Sequence, residues 1–241
     1  MKKEESTKIP AQFIKKTVGG ASEEAYLASG EQFPRKLQAM LGPHGFDLAE
    51  MTGILDFGCG AGRYLSCLAN ITSANLYGCD LDAEMIEWCT TAYPQVSFHV
   101  SQEFPPTPFT AGQLDLLYAV SVLTHLDAIH QDAWLAEWHR ILSPKGVALI
   151  TFRSEKFLAD RTDFPPEEHK KLLSTLYDDG ICFHKNNYWK DQFPDFYQGT
   201  YHTEEYVRHH WSQWFDVMEI IHPSQSERSL PQSIAVLGPK P

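Results

Sequence analysis

The 241-residue chain has no long hydrophobic run and no excess of basic residues. No apolar stretch approaches the roughly 18 residues that cross a bilayer, and the lysine-rich start is not followed by an apolar segment. The formal net charge is -11, which disfavours DNA or RNA as the main partner and also a basic membrane-binding patch. We therefore expect a cytoplasmic protein whose partner is neither a nucleic acid nor a membrane.

Disulfide and metal motifs are scarce as well. The chain has five cysteines, an odd number, and it contains neither a C-x-x-C pair nor an H-E-x-x-H motif. Four of the cysteines fall within predicted strands, helices or a glycine-rich loop: Cys59, Cys67, Cys79 and Cys89. We expect reduced thiols and no metal site.

What the chain does contain is a glycine-rich loop after a short apolar run. Residues 54–63 read ILDFGCGAGR, and helix-compatible sequence follows from Arg63 to Ala69. This order predicts a strand, a tight turn and a helix, with which α/β proteins bring their backbone against a nucleoside-type ligand. The G-x-G-x-G spacing differs from the G-x-G-x-x-G dinucleotide fingerprint. Taken alone, the loop could also be a plain turn.

A second acidic strand end follows the glycine loop. Residues 75–80 predict a strand that ends in Asp80, 24 residues after Asp56. An acid at this point can accept hydrogen bonds from ribose hydroxyls, although it could also be a solvated turn residue. Asp82 then predicts the N-cap of the next helix.

Four segments together resemble one enzyme family. Residues 54–63 and 78–86 resemble the first two motifs of class I S-adenosylmethionine-dependent methyltransferases. Residues 114–126 resemble that family's fourth strand and the loop after it, and residues 140–151 resemble its helix end, Pro-Gly turn and fifth strand. The resemblance covers about residues 50 to 152. It implies a Rossmann-like, doubly wound, mostly parallel seven-stranded sheet with helices on both faces. It also implies S-adenosylmethionine as cofactor and S-adenosylhomocysteine as product.

The remaining pattern predicts strands that alternate with helices, as in a mostly parallel sheet. A third strand is expected over residues 96–100, and the proline-rich residues 104–109 predict a loop. A helix is expected over residues 127–142 and an apolar strand over residues 146–152. The end of the chain predicts a helix that begins at Thr203 and two closing strands, over residues 215–221 and 233–237.

Two additions to this domain are expected. Residues 1–50 predict a helical cap, with one helix or two over residues 23–41, interrupted near Gly30 and Pro34. Residues 51–241 would form the cofactor-binding domain. Within it, residues 153–202 depart from the alternation and are rich in aromatics: Phe157, Phe164, Tyr177, Phe183, Tyr188, Trp189, Phe193, Phe196 and Tyr197. This insertion after the fifth strand could pack its own small core, cover the substrate as a lid, or do both.

The resemblance implies a role for each candidate residue of the glycine loop and the second strand. The loop would surround the amino-acid end of S-adenosylmethionine, and Asp80 would accept both ribose hydroxyls. Leu81 and Met85 would lie against the adenine. The loop residues are Asp56, Gly58, Cys59, Gly60 and Gly62. Asp56 has a competing structural role, which is to fix the loop through hydrogen bonds to backbone N–H groups.

Two further loops complete the site that the resemblance implies. Glu103, with Gln102 and Phe104 beside it, takes the place of the acid that contacts the adenine amino group in the family. That acid is usually Asp, so the longer Glu103 departs from the pattern. Val120 and Ser121 would pass close to the methionine moiety and face the acceptor.

The implied chemistry is displacement of a methyl group from a sulfonium by a nucleophile placed about 3 Å from the methyl carbon. His125, just beyond the fourth strand, is the candidate general base, although it could equally be hydrogen-bonded within a capping loop. His184, His202 and Tyr201 are weaker candidates because only the position of the insertion suggests them.

The acceptor is expected to be a small molecule or a glycan, methylated on O or N. Two alternatives stay open, an inactive S-adenosylmethionine-binding domain and, less compatible with the glycine spacing, a nicotinamide-dependent oxidoreductase. The sequence leaves the oligomeric state undetermined.

Overall fold

The computed structural model describes residues 8–18, 22–185, 194, 196–224 and 226–240. The helices are α1 (Ala11–Val18), α2 (Glu23–Leu41), α3 (Arg63–Leu68), α4 (Ala83–Ala92), α5 (Ala128–Ile141), α6 (Glu155–Ala159), α7 (Pro166–Asp179) and α8 (Glu204–His210). The strands are β1 (Gly53–Phe57), β2 (Asn75–Asp80), β3 (Ser97–Val100), β4 (Leu114–Ala119), β5 (Leu142–Phe152), β6 (Ile181–His184), β7 (Gly199–His202), β8 (Phe215–Ile221) and β9 (Ser233–Pro239).

Seven strands form one sheet in the order β3-β2-β1-β4-β5-β9-β8. The first five pair in parallel, whereas β9 runs antiparallel to both β5 and β8. The carboxyl ends of β1, β2, β4, β5 and β8 therefore share one edge with the start of β9. Ligands bind at this edge in open α/β sheets. The predicted mostly parallel, seven-stranded α/β fold is confirmed.

Helices cover both faces of the sheet, because successive side chains of each strand point to opposite sides. On β1, Leu55 and Phe57 belong to a core cluster that includes Trp134 and Trp138 of α5. Ile54 belongs to a second cluster, together with Phe33 of α2. The predicted apolar stripe of α5 is confirmed, since its members are all buried: Trp134, Leu135, Trp138 and Ile141.

Helix α2 differs from the sequence-based prediction because it continues through Gly30 and Pro34. A proline inside a helix costs about 3 kcal/mol, but here the helix buries a row of large apolar side chains: Tyr26, Phe33, Leu37, Met40 and Leu41. Gly30 allows α2 to approach α3, since a Cβ atom at this position would lie 2.7 Å from the carbonyl oxygen of Arg63. Packing therefore outweighs the local helix-breaking signals.

Strand β5 also begins earlier than predicted, at Leu142 instead of Gly146. Leu142 pairs with Leu114 of β4, and a register shift follows between Leu114 and Leu116. The expected Pro-Gly turn is thus part of an irregular strand start.

The insertion after β5 has a small core of its own. Helices α6 and α7 and the β6–β7 hairpin bury Leu158, Leu172, Leu176, Cys182 and Tyr201 together. This is one of the two arrangements expected for residues 153–202. Three of its aromatic residues lie outside the described residues: Tyr188, Trp189 and Phe193.

Candidate active site

The three glycines of the predicted loop all adopt positive φ angles. The values are 79° at Gly58, 53° at Gly60 and 70° at Gly62, which is the N-cap of α3. At Gly58 a Cβ atom would lie only 2.5 Å from Cγ2 of Val122, in the loop after β4. The loop therefore requires glycine both for its backbone angles and for the approach of a neighbouring segment.

The carboxylate of Asp80 lies directly beside this loop. Its Oδ2 atom accepts the N–H of Gly60 at 2.8 Å, and its Oδ1 atom accepts the N–H of Asp82 at 3.0 Å. Burial raises the pKa of Asp80, while the two amide hydrogen bonds oppose that shift. A carboxylate oxygen has more than one acceptor position. Asp80 can therefore keep both amide bonds and still accept hydrogen bonds from a diol.

Asp56 is buried at the end of β1, with 1% of its surface exposed. Burial raises its pKa to about 8, although the nearby Arg63 guanidinium lowers it. Its Oδ2 atom has no hydrogen-bond partner among the described residues. The amides of Gly58 and Cys59 donate to the carbonyl of Cys79 at 2.8 and 2.9 Å. They do not donate to Asp56, so the competing structural role predicted for Asp56 is not observed at these two amides.

Helix α1 packs against the same loop. Oγ1 of Thr17 lies 3.0 Å from the position that a Cβ atom on Gly60 would occupy, and Lys16 forms an ion pair with Asp82. Met85 is 3% exposed in a cluster with α1 residues. Leu81 is 38% exposed. The two residues expected to flank adenine thus differ, since one packs beneath α1 and the other faces solvent.

His130 of α5 contacts the loop after β3. Nε2 of His130 lies 3.1 Å from Oε1 of Glu103, and Nδ1 lies 2.7 Å from Oδ1 of Asp127. The imidazole is stacked between the rings of Phe104 and Phe196, with centroid separations of 4.4 and 4.8 Å. Glu103 and Phe104 thus have protein partners, and the exposed Gln102 precedes them.

The loop after β4 holds the other candidate residues. Ser121 has a φ of 63°, the only positive φ of a non-glycine residue in the described part of the chain. Its N–H donates to Oγ1 of Thr151 at 2.7 Å, and its hydroxyl to Oε1 of Gln232 at 3.1 Å. Such strained residues cluster at functional sites. The half-buried Val120 precedes it.

His125 is buried beneath the insertion. Its Nδ1 atom lies 2.7 Å from the carbonyl oxygen of Gln198, so Nδ1 carries the proton, and Nη2 of Arg153 lies 3.4 Å from its Nε2 atom. Tyr197 stacks on the ring at 4.3 Å. Burial, followed by the Arg153 charge, lowers the pKa of His125 to about 3. The imidazole is thus neutral, with its one lone pair directed toward a guanidinium.

Sequence reasoning did not single out Arg63, which borders the candidate site. Arg63 donates to Oγ of Ser29 at 3.1 Å, and its guanidinium lies over the rings of Tyr26 and Tyr64. Its place directly after the glycine loop was a usable signal.

His184 and His202, two of the weaker candidates for a base, lie on the hairpin of the insertion. Burial, followed by the Arg153 charge, lowers the pKa of His202 to about 3.

The described residues contain neither a membrane-spanning helix nor a cluster of metal ligands. None of their helices is long and apolar enough to cross a membrane. No group of three or more His, Cys, Asp or Glu side chains among them is arranged to hold a metal ion.

Part of the chain is similar to known methyltransferases. Residues 55–150 match a family described as a methyltransferase domain. The chain is 30% identical over 97 residues to demethylmenaquinone methyltransferase of Chlorobaculum parvum, a match that covers 40% of this chain and 39% of that relative. Together with the fold, these findings support the resemblance of residues 50–152 to the class I S-adenosylmethionine-dependent methyltransferases. S-Adenosylmethionine is the methyl donor of that class.

Solved structures share the fold over nearly the whole chain. An S-adenosylmethionine-dependent methyltransferase from Clostridium acetobutylicum superposes with a TM-score of 0.61 at 11% identity, covering 94% of this chain and 96% of that one. The 1,6-didemethyltoxoflavin-N1-methyltransferase of Burkholderia thailandensis gives 0.58 at 15% identity, covering 95% and 86%. The matched helices and strands therefore include those outside residues 55–150.

Proposed function

We propose that this protein transfers a methyl group from S-adenosylmethionine to a small-molecule or glycan acceptor, on O or N, and releases S-adenosylhomocysteine. The observation that carries the proposal is Asp80, whose carboxylate is held by the amides of Gly60 and Asp82 at the end of β2. Its position suits a ribose diol lying beside a glycine loop.

The other candidate residues fit a cofactor that lies along the loop. Gly58, Gly60 and Gly62 leave the backbone uncovered by side chains of their own. Asp56 lies buried at the end of β1, directly before the loop that would surround the methionine end, and the exposed Leu81 suits the adenine. When bound, the cofactor supplies an electrophilic methyl group. The chain supplies the orientation, from which much of the rate enhancement can come.

We propose that residues 1–50 act as a cap and residues 153–202 as a cover over the acceptor. Thr17 of α1 lies against Gly60. From the insertion, the N–H of Thr200 donates to the carbonyl of Thr124, and that of Gln198 to the carbonyl of His125. Both additions therefore lie next to the loops that would meet the ligands.

His125 is retained as the proposed base, with a test that separates it from a positioning role. If it accepts the acceptor's proton, His125→Asn will lower kcat at least tenfold without weakening cofactor binding. A variant that keeps full turnover and cofactor affinity would remove the proposal. A base whose pKa is lowered to about 3 also predicts no fall in kcat/KM as the pH drops through 6.5.

The net charge of the chain and two related methyltransferases support the proposed class of acceptor. The two described methyltransferases are named for demethylmenaquinone and 1,6-didemethyltoxoflavin, neither of which is a protein or a nucleic acid. The net charge of -11 disfavours a nucleic-acid acceptor. All five cysteines are free thiols, which supports a reducing cytoplasmic location.

Calorimetry with S-adenosylmethionine, S-adenosylhomocysteine and NAD tests the proposal. We expect micromolar binding of the two adenosyl ligands, at least tenfold weaker in Asp80→Ala and unchanged in Asp178→Ala, an exposed acid on α7. Tight NAD binding would favour the oxidoreductase alternative. Cofactor binding without turnover of any acceptor would favour the inactive binding domain.

A further inference from the structure

A cavity of about 500 Å³ lies on the carboxyl edge of the sheet, beside α6. Its lining residues follow β5 and β8 or precede β9, and they include Ser154, Phe157, Arg161, His222, Pro223 and Pro231. A volume of this size accommodates a small organic ligand.

Residues close in sequence to the cavity lining contact Ser121, in the loop after β4. Gln232, the residue after Pro231, accepts the Ser121 hydroxyl at 3.1 Å. Thr151, three residues before Ser154, accepts the Ser121 N–H at 2.7 Å. In the proposed function Ser121 lies near the methionine moiety, so the cavity is on the acceptor side of the cofactor.

A mostly buried guanidinium lies next to this cavity. Arg153 precedes Ser154, and its Cζ atom is 5.8 Å from the ring centre of Phe157. Its Nη1 atom donates to the carbonyl of Thr124 at 3.1 Å, and Nη2 lies 3.4 Å from His125. Its Nε atom has no partner, and no carboxylate pairs with it, within the described ranges.

Burying an unpaired charge costs free energy unless an opposite charge compensates for it. The chain has 31 acidic residues against 20 basic ones, yet acids beside the cavity pair with groups other than Arg153. Glu204 pairs with Arg208 and with His222 of the lining. Asp160 pairs with Lys156, and Asp163 pairs with Arg161. Arg153 is therefore a cation that suits an anion supplied by a ligand.

We propose that this cavity binds the methyl acceptor and that the acceptor is a small organic anion. Its flat apolar body lies against Phe157, Pro223 and Pro231, and its oxyanion pairs with Arg153. The role of this ligand as the methyl acceptor rests on the proposed function. Binding of the ligand to the cavity can be tested without turnover.

The test compares 4-fluorobenzoate with its neutral isostere 4-fluorobenzamide by fluorine NMR titration, with and without S-adenosylhomocysteine. We expect the benzoate to bind at least tenfold more tightly. Arg153→Gln should remove that preference, Arg153→Lys should keep part of it, and Lys170→Gln, an exposed control on α7, should leave it unchanged. Pro223→Trp should fill the cavity and weaken both probes alike.

Equal binding of the two probes, or a preference that persists in Arg153→Gln, would overturn the proposal. If Arg153→Gln does not fold, Arg153→Lys and Pro223→Trp still decide, because unchanged binding in both contradicts the site. Calorimetry with S-adenosylhomocysteine on the same samples keeps the two proposals apart. Loss of cofactor binding with retained benzoate preference would refute the methyltransferase proposal alone.

Discussion

Cγ2 of Val122 lies 2.5 Å from the position that a Cβ atom would take on Gly58. The loop after β4 is thus packed onto the loop after β1, and the two loops can only approach this closely because Gly58 has no side chain. Between them lies the region where we place the methionine end of the cofactor.

Gly58→Ala is expected to lower the free energy of unfolding by about 3 kcal/mol, from a left-handed backbone and an overpacked contact together. Gly45→Ala is the matched control, because Gly45 has a φ of 82° and nothing within 4 Å of its added Cβ. The control should lose only about 1 kcal/mol. Urea unfolding measures both, and equal losses would show that Val122 moves aside without penalty.

Asp56 is expected to make the protein less stable as the pH rises. Its pKa is raised from 3.8 to about 8 in the folded chain, so the folded state keeps a proton that the unfolded state releases between about pH 4 and pH 8. Stability therefore falls across this window, by at most about 1.4 kcal/mol per pH unit. Asp56→Asn should become progressively more stable than the parent from pH 5 to pH 8. The measurement is urea unfolding of both proteins at these pH values. A stability difference between them that does not change with pH would contradict the raised pKa of Asp56.

His125 is expected to act in the opposite direction at acid pH. Its pKa is lowered from 6.5 to about 3, so between these values the unfolded chain binds a proton that the folded chain does not. Its contribution to stability is present above pH 6.5 and is lost as the pH falls toward 3. Thermal unfolding from pH 7 to pH 4 should show a smaller acid loss in His125→Asn than in His209→Asn, an exposed control. The same acid loss in both variants would mean that His125 titrates normally.

The stack of Phe104, His130 and Phe196 is expected to position the loop after β3. His130→Ala removes two ring contacts, each worth about 1 kcal/mol, together with the contact to Glu103. We expect a loss of about 2 kcal/mol in unfolding free energy and a severalfold rise in the KM for S-adenosylmethionine, with kcat little changed. His139→Ala, whose ring contacts Phe215 away from this loop, should not change that KM. Unchanged cofactor KM in His130→Ala would limit the stack to a role in stability.

Local patterns predicted most of the fold. Strand β2 lies over residues 75–80 as expected, and Asp82 and Thr203 are N-caps as their side chains suggested. Such signals lie within a few residues of each other in the sequence. The continuity of α2 could not be predicted because it depends on contacts with α3, from a distant part of the sequence.

The candidate site likewise combines residues that the sequence predicts with residues whose importance depends on distant contacts. The glycine loop and Asp80 are visible in the sequence because they belong to a set of motifs that together resemble one enzyme family. Arg153 is one of 20 basic residues, and only its burial beside Thr124 and His125 makes it unusual. His130 likewise gains its significance from Phe196, 66 positions away in the sequence, which no periodicity connects to it.

The contact between Thr17 and Gly60 also bears on the timing of the proposed reaction. A ligand that lies on the loop backbone shares that surface with α1, and the ion pair between Lys16 and Asp82 holds the helix there. In the proposed function, we expect departure of the spent cofactor to be coupled to undocking of α1. We therefore expect the first helix of the chain to limit the rate of successive turnovers, and salt to raise that rate by screening the ion pair between Lys16 and Asp82.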